Sequence, residues 1–187
     1  MNAVKKYLFL MAVCICSFYA HAQVFKKTET FTRQDTLRGS ITPERAWWDV
    51  VMYDLQVKPE FTTFSISGTN TIYFKIVRHP ASQMQIDLQE PLEITEAWLN
   101  DVPVTFTHDG NVWYINLPKG KMPKSLPQNQ YKSGPLQQLK LVYKGIPKPA
   151  VNAPWDGGIV WKKDEKGNPW INVACQGLGA SVWWPCK

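Results

Sequence analysis

Val102-Pro103-Val104-Thr105-Phe106-Thr107-His108-Asp109-Gly110-Asn111-Val112-Trp113-Tyr114-Ile115-Asn116-Leu117 decides the fold. Val102, Val104 and Phe106 lead in at every second position, and Trp113, Ile115 and Leu117 lead out in the same way. An apolar residue at every other position is the period of a half-buried strand and cannot line one face of a helix. Between the two runs stands Asp109-Gly110, a pair that readily takes the positive backbone dihedrals of a tight turn. The stretch predicts a β-hairpin.

The same period continues on both sides. Val51, Tyr53, Leu55 and Val57 share one face of a strand whose other face carries Asp54, Gln56 and Lys58, and Pro59-Glu60 turns the chain. Phe64, Ile66, Ile72, Phe74 and Ile76 share a parity with Gly68 and Asn70, where a bulge or bend would fit. Met84, Ile86 and Leu88 alternate with Gln85, Asp87 and Gln89, and Leu92, Ile94 and Trp98 continue after Pro91. Beyond a polar, proline- and lysine-rich loop between Pro118 and Pro135, Leu139, Leu141 and Tyr143 restore the alternation. Ile159 to Trp161 and Trp170 to Cys175 flank the turn Asp164-Glu165-Lys166-Gly167-Asn168 and predict a second hairpin. The expected class is all-β: an antiparallel β-sandwich or saddle-like sheet.

At the amino end, Lys5 and Lys6 precede an apolar run from Tyr7 to Tyr19, and Ala20-His21-Ala22 follows. The run is too short to span a bilayer, and its small residues suit cleavage before Gln23, so residues 1–22 read as a secretory signal peptide. The expectation is a secreted or periplasmic protein without a membrane span. A lipoprotein is the lesser alternative, since Val13 is not the small residue wanted before a lipid-bearing Cys14. Residues 23–45 are polar without a sustained period and read as an extension draped over the domain or covering an edge strand. Residues 46–187 then form one β domain. Its terminal run, Trp170 to Lys187, holds Trp183-Trp184-Pro185-Cys186 beside a Gly177-Leu178-Gly179 turn and reads as cut before a following domain.

The formal net charge of +6 includes Lys5 and Lys6, and the basic stretch Pro118 to Lys124 carries no aromatic side chains for stacking on bases. Nucleic acid is not implied. His21 leaves with the signal peptide, and His79 and His108 lie in or beside turns without a second ligand at metal-binding spacing. Phosphate loops, nucleophile elbows and serine triads are absent from the sequence. Of the cysteines, only Cys175 and Cys186 lie beyond residue 22. An oxidising compartment would let them pair, and the competing reading is two free thiols in a packed segment. The chain offers no complete active site and no metal site of its own.

Four segments carry a resemblance: Tyr53-Asp54-Leu55-Gln56-Val57, Ser65-Ile66-Ser67-Gly68-Thr69, Leu141-Val142-Tyr143-Lys144-Gly145-Ile146, and Ala174-Cys175-Gln176 through Trp184-Pro185-Cys186. In order and spacing the chain resembles the N-terminal domain of the aminopeptidase N family of zinc metallopeptidases (gluzincins), of a bacterial secreted type. That family's β-saddle domain ends in a Gln-Cys-Gln or Gln-Cys-Glu segment followed by a Pro-Cys pair, as Cys175 is followed here by Pro185-Cys186. The resemblance implies that Gln176 holds the free α-amino group of a peptide substrate, and that zinc belongs to a catalytic domain missing from this chain. The family's Gly-x-Met-Glu-Asn loop and His-Glu-x-x-His helix are not in the sequence, so the chain alone is expected to be inactive. Ala174 stands where the family often has Gln, and Ser181 stands in place of a later Arg. An alternative from another class is a free-standing secreted β-sandwich module for peptide or carbohydrate, with Trp155, Trp161, Trp170, Trp183 and Trp184 as an exposed row.

Overall fold

The computed structural model describes residues 30–118, 120 and 134–187. The expected signal peptide, residues 23–29 of the extension and most of the loop between Pro118 and Pro135 lie outside them. Among the described residues no helix is long and apolar enough to cross a membrane.

The class is all-β, and the described strands pair with one another antiparallel. The strands are β1 (Trp48–Glu60), β2 (Ser65–Ile76), β3 (Gln83–Asp87), β4 (Glu93–Leu99), β5 (Val102–Pro103), β6 (Phe106–Asp109), β7 (Val112–Asn116), β8 (Gln137–Gly145), β9 (Gly158–Lys163) and β10 (Pro169–Ala174). A five-stranded sheet runs β1-β2-β8-β4-β5, a three-stranded sheet runs β3-β7-β6, and β9 pairs with β10. One core joins them: Ile72 and Phe74 of β2, Leu139, Leu141 and Tyr143 of β8, Met84 and Ile86 of β3 and Ile115 of β7 are fully buried with Trp48. Each such side chain removed from water contributes about 1.5–3 kcal/mol.

The alternation predicts these faces except where the backbone slips. In β1 the register shifts between Val50 and Met52, so Val51 is exposed while Tyr53, Leu55 and Val57 stay half-buried. A bulge adds one residue to one strand and flips the parity beyond it. The same device in β4, between Ile94 and Glu96, puts Ala97 and Leu99 in the core. Trp98 is turned to the other face, under the Lys140 ammonium at 5.3 Å. In β2 neither of its two pairings shifts register at Gly68 or Asn70. Gly68 instead makes room: a Cβ there would run into the Gln56 carbonyl oxygen and stand 3.0 Å from the Tyr143 hydroxyl. Phe64 lies outside the strand, exposed and at a φ of 53°. In the β6–β7 hairpin Asp109 pairs with Val112, so the turn is Gly110-Asn111, one residue later than the expected pair, with Gly110 at a φ of 58°.

The described part of the extension is helical. α1 (Arg33–Gly39) starts from a capping box in which the Thr32 hydroxyl accepts from the Asp35 N–H and the Asp35 carboxylate accepts from the Thr32 N–H. The Thr32 N–H holds the Asp35 carboxyl below its usual range. α2 (Pro43–Ala46) begins on a proline and buries Arg45. No residue of α1 is itself buried, which is why no apolar period marks it in the sequence.

What these helices cover is the polar face of β3. Gln85, Asp87 and Gln89 are buried like the apolar residues between them, so each needs a partner. The Thr42 hydroxyl donates to Gln85 Oε1 at 2.6 Å, and the Gln85 amide donates to the Leu37 carbonyl at 3.1 Å. Arg45 Nη2 donates to both Asp87 oxygens at 2.6 Å. Gln89 Nε2 donates to the Ser181 hydroxyl at 3.0 Å.

Candidate functional site

Gln176 lies in the connection between β10 and a short 3₁₀ turn, Gly179–Val182. The connection closes on itself through two backbone bonds, Leu178 N–H to the Gln176 carbonyl and Gly179 N–H to the Cys175 carbonyl, both 2.9 Å. Gly177 at a φ of 71° and Gly179 at 70° permit so tight a path. One end of the loop is anchored in the domain. Leu178 packs on Gly157, where a Cβ would come within 2.9 Å of it. Its carbonyl accepts from the Ser181 hydroxyl at 2.8 Å, and the Gln89 N–H donates to the Ser181 carbonyl at 2.9 Å.

At the crest the Gln176 side chain is exposed and makes no hydrogen bond with any described residue. Its amide oxygen and nitrogen are both free for a ligand. Among the described residues, Arg38 reaches the loop from outside: its Nη1 donates to the Gly177 carbonyl at 2.5 Å.

Beyond the loop the chain runs back into its own domain. Cys186 and Asp87 exchange backbone bonds of 3.0 and 2.7 Å, the Asn70 amide donates to the Pro185 carbonyl at 2.7 Å, and the Lys187 N–H donates to the Tyr53 hydroxyl at 3.1 Å. Trp184 meets Tyr53 edge-on with ring centres 4.6 Å apart, and Trp183 meets Trp184 at 6.3 Å. Both tryptophans are half-buried against the core. The expected sticky end is therefore largely an internal strap, because β3, β1 and β2 supply partners for it. Trp161 is also half-buried, edge-on to Phe61 and Phe64, which leaves Trp155 (74% exposed) and Trp170 (47%) as the open members of the tryptophan set.

The cysteines are free, with Cys175 exposed and Cys186 buried. Burial pushes the Cys186 thiol up to about 12, and the nearby Asp87 carboxylate adds to the effect. Only the thiolate is an effective nucleophile. Iodoacetamide at neutral pH is expected to modify Cys175 at least about a hundredfold faster than Cys186 in the folded chain, read by peptide mass spectrometry. Equal protection of both would point instead to a bond between them.

The described residues do not fit a zinc ion. His108 lies flat on Trp113 with ring centres 4.6 Å apart, Cys186 is locked in the bridge to Asp87, and no group of three His, Cys, Asp or Glu side chains converges. An open cleft of about 750 Å³, lined by residues that include Arg38, Arg45, Asp49, Tyr53, Arg78 and Lys187, does not include Gln176.

No family model matches the sequence, and no curated protein matches it either. Solved structures do match the fold. The M1 zinc metallopeptidase of Deinococcus radiodurans aligns with 22% identity and a TM-score of 0.52 over 74% of this chain and 28% of that one. Native yeast LTA4 hydrolase aligns with 16% identity and a TM-score of 0.55 over 75% of this chain and 21% of that one. At such identity the likeness is one of fold: the chain has the fold of a segment of the M1 zinc metallopeptidases and of LTA4 hydrolase, and it spans well under a third of the length of either.

Proposed function

We propose that this chain is the N-terminal β-saddle domain of a secreted zinc aminopeptidase, and that it serves that enzyme by packing against its catalytic domain and by anchoring the substrate's free α-amino group. The observation that carries the reading is Gln176: an uncommitted amide on a crest flanked by glycine, directly after Cys175 and in register with Pro185-Cys186. The amide oxygen accepts a hydrogen bond from an ammonium group, an interaction with charge worth about 1.5–3 kcal/mol. A neutral acceptor suits this task, because it orients the amino group without forming a tight ion pair that would slow product release.

The substrate class follows from that anchor: peptides with an unblocked N-terminus. The Deinococcus radiodurans enzyme has been solved with a Tyr-Ser-Ala substrate, and a ligand of that kind matches what Gln176 can hold. Zinc, when bound in the whole enzyme, activates water and polarises the scissile carbonyl. The described residues bring no set of ligands together; the part of this domain is to bind and orient. The Lys5-Lys6 pair, the apolar run to Tyr19 and the small residues Ala20 and Ala22 direct the protein out of the cytoplasm.

Division of labour is testable on the purified chain. It is expected to retain no stoichiometric zinc after dialysis and to release no chromophore from aminoacyl anilides. Zinc-dependent cleavage by the chain alone would overturn the assignment of chemistry to another domain.

A further inference from the structure

α1 is tied to the domain by a set of polar contacts. At its start Arg33 forms an ion pair with Asp109 at 2.7 Å, Gln34 Nε2 donates to the Asp109 carbonyl at 3.1 Å, and Gln34 Oε1 accepts from the Asn111 N–H at 3.2 Å. These tie it to the turn of the β6–β7 hairpin. At its end Arg38 reaches the Gly177 carbonyl, and the Asp35 carboxylate, one turn back, lies 3.8 Å from the Arg38 guanidinium. Between helix and loop lies a small cavity of about 70 Å³, lined by residues that include Gln34, Asp35, Arg38, Gln89 and Leu178. Side-chain packing therefore does not fill the space between α1 and Leu178.

The two glycines of the crest also face open space. At Gly177 and Gly179 nothing lies within 4 Å of where a Cβ would stand. Glycine gains access to positive φ at the cost of stiffness, and the two closing bonds of the loop are local to it. A guanidinium donating to the Gly177 carbonyl fixes the Gly177–Leu178 peptide unit, one residue beyond Gln176, and a charged donor makes the stronger kind of hydrogen bond.

We infer that Arg38 is a positioning residue: by holding the Gly177 carbonyl it fixes the direction in which Gln176 presents its amide. The inference rests on the reading of Gln176 as the amino-group anchor. It gives the N-terminal extension a role at the site, as a brace running from the β6–β7 turn to the substrate loop. It also sets a specificity effect, since a braced anchor selects substrates with a correctly placed α-amino group.

The test pairs Arg38→Met with Arg38→Lys. Arg38 is not buried, so neither variant threatens the core. In the full chain, amide exchange by NMR is expected to accelerate about tenfold at Leu178 and Gly179 in Arg38→Met, with Leu141 in β8 unchanged and Arg38→Lys giving partial recovery. Unchanged exchange at both amides would overturn the brace. In the enzyme that joins this domain to its catalytic domain, Arg38→Met is expected to raise KM for a tripeptide about three- to tenfold, with kcat preserved. It should add nothing further to Gln176→Ala. If Gln176→Ala raises KM and Arg38→Met does not, the positioning role is wrong while the anchor stands. If exchange accelerates but neither variant moves KM, the anchor reading fails and takes the specificity role with it.

Discussion

Asp87→Ala is expected to destabilise the domain by about 3–5 kcal/mol, seen as a large fall in the urea midpoint at unchanged m-value. The substitution removes both acceptors of a guanidinium that is itself 9% exposed. Arg45 Nε already lacks a partner among the described residues, so without Asp87 a buried charge would keep little more than a long contact of 3.5 Å to the Leu37 carbonyl. The pair is not a store of stability in itself. Burial raises the Asp87 carboxyl above its usual range even with Arg45 opposing that shift, so for this carboxylate desolvation outweighs the attraction of its partner. Arg45→Met with Asp87→Leu should therefore recover most of the loss, because the double change removes the desolvation cost together with the attraction. Its role is to fix the register of three segments: α2 through Arg45, β3 through Asp87, and the strap through the Asp87 bridge to Cys186. A single substitution costing less than about 1 kcal/mol would show that α2 does not depend on the pair.

This network also explains which parts of the fold the sequence reveals. Alternation locates the strands because one face of each meets a common core, and that holds for Ile72 and Phe74 as for Leu139 and Leu141. Alternation misplaces Val51 and Trp98 because a bulge is a backbone event, and the side chains on either side of it remain ordinary. It also leaves Gln85, Asp87 and Gln89 as a plain polar face, when in the fold they are buried and individually partnered. Nothing in a run of polar residues tells a solvated face from one covered by a strap. α1 escapes notice for a related reason, since it is held by hydrogen bonds and lacks apolar periodicity; Thr32-x-x-Asp35 is the signal that could have located its start.

The site divides in the same way. Gln176 is reached through the spacing of Cys175, Pro185 and Cys186, a resemblance, and no periodicity would single it out. Arg38 is not legible at all. Its partner is a backbone carbonyl 139 positions away, and a carbonyl leaves no mark in a sequence. The strap from Val182 to Lys187 looks exposed in the sequence because its partners, Tyr53, Asn70 and Asp87, are scattered over three different strands.

The second large effect is functional. Gln176→Ala, made in the enzyme that joins this domain to its catalytic domain, removes the acceptor for the substrate ammonium. That loss is expected to be about 1–3 kcal/mol, or roughly fivefold to 150-fold in kcat/KM. The deficit should fall mainly on KM, because the anchor acts in the ground state as well as in the transition state. Gln176→Glu keeps an acceptor at the same reach and should retain most of the specificity constant. Domain stability should not change, because the Gln176 side chain is exposed and bonds to no described residue.

The most direct measurement is kcat/KM of wild type and Gln176→Ala on one unblocked tripeptide, with the urea midpoint of each recorded alongside. The account predicts a fall of about fivefold or more in kcat/KM, carried by KM, at equal stability. Equal specificity constants for the two proteins would contradict it and return Gln176 to the status of an ordinary surface amide.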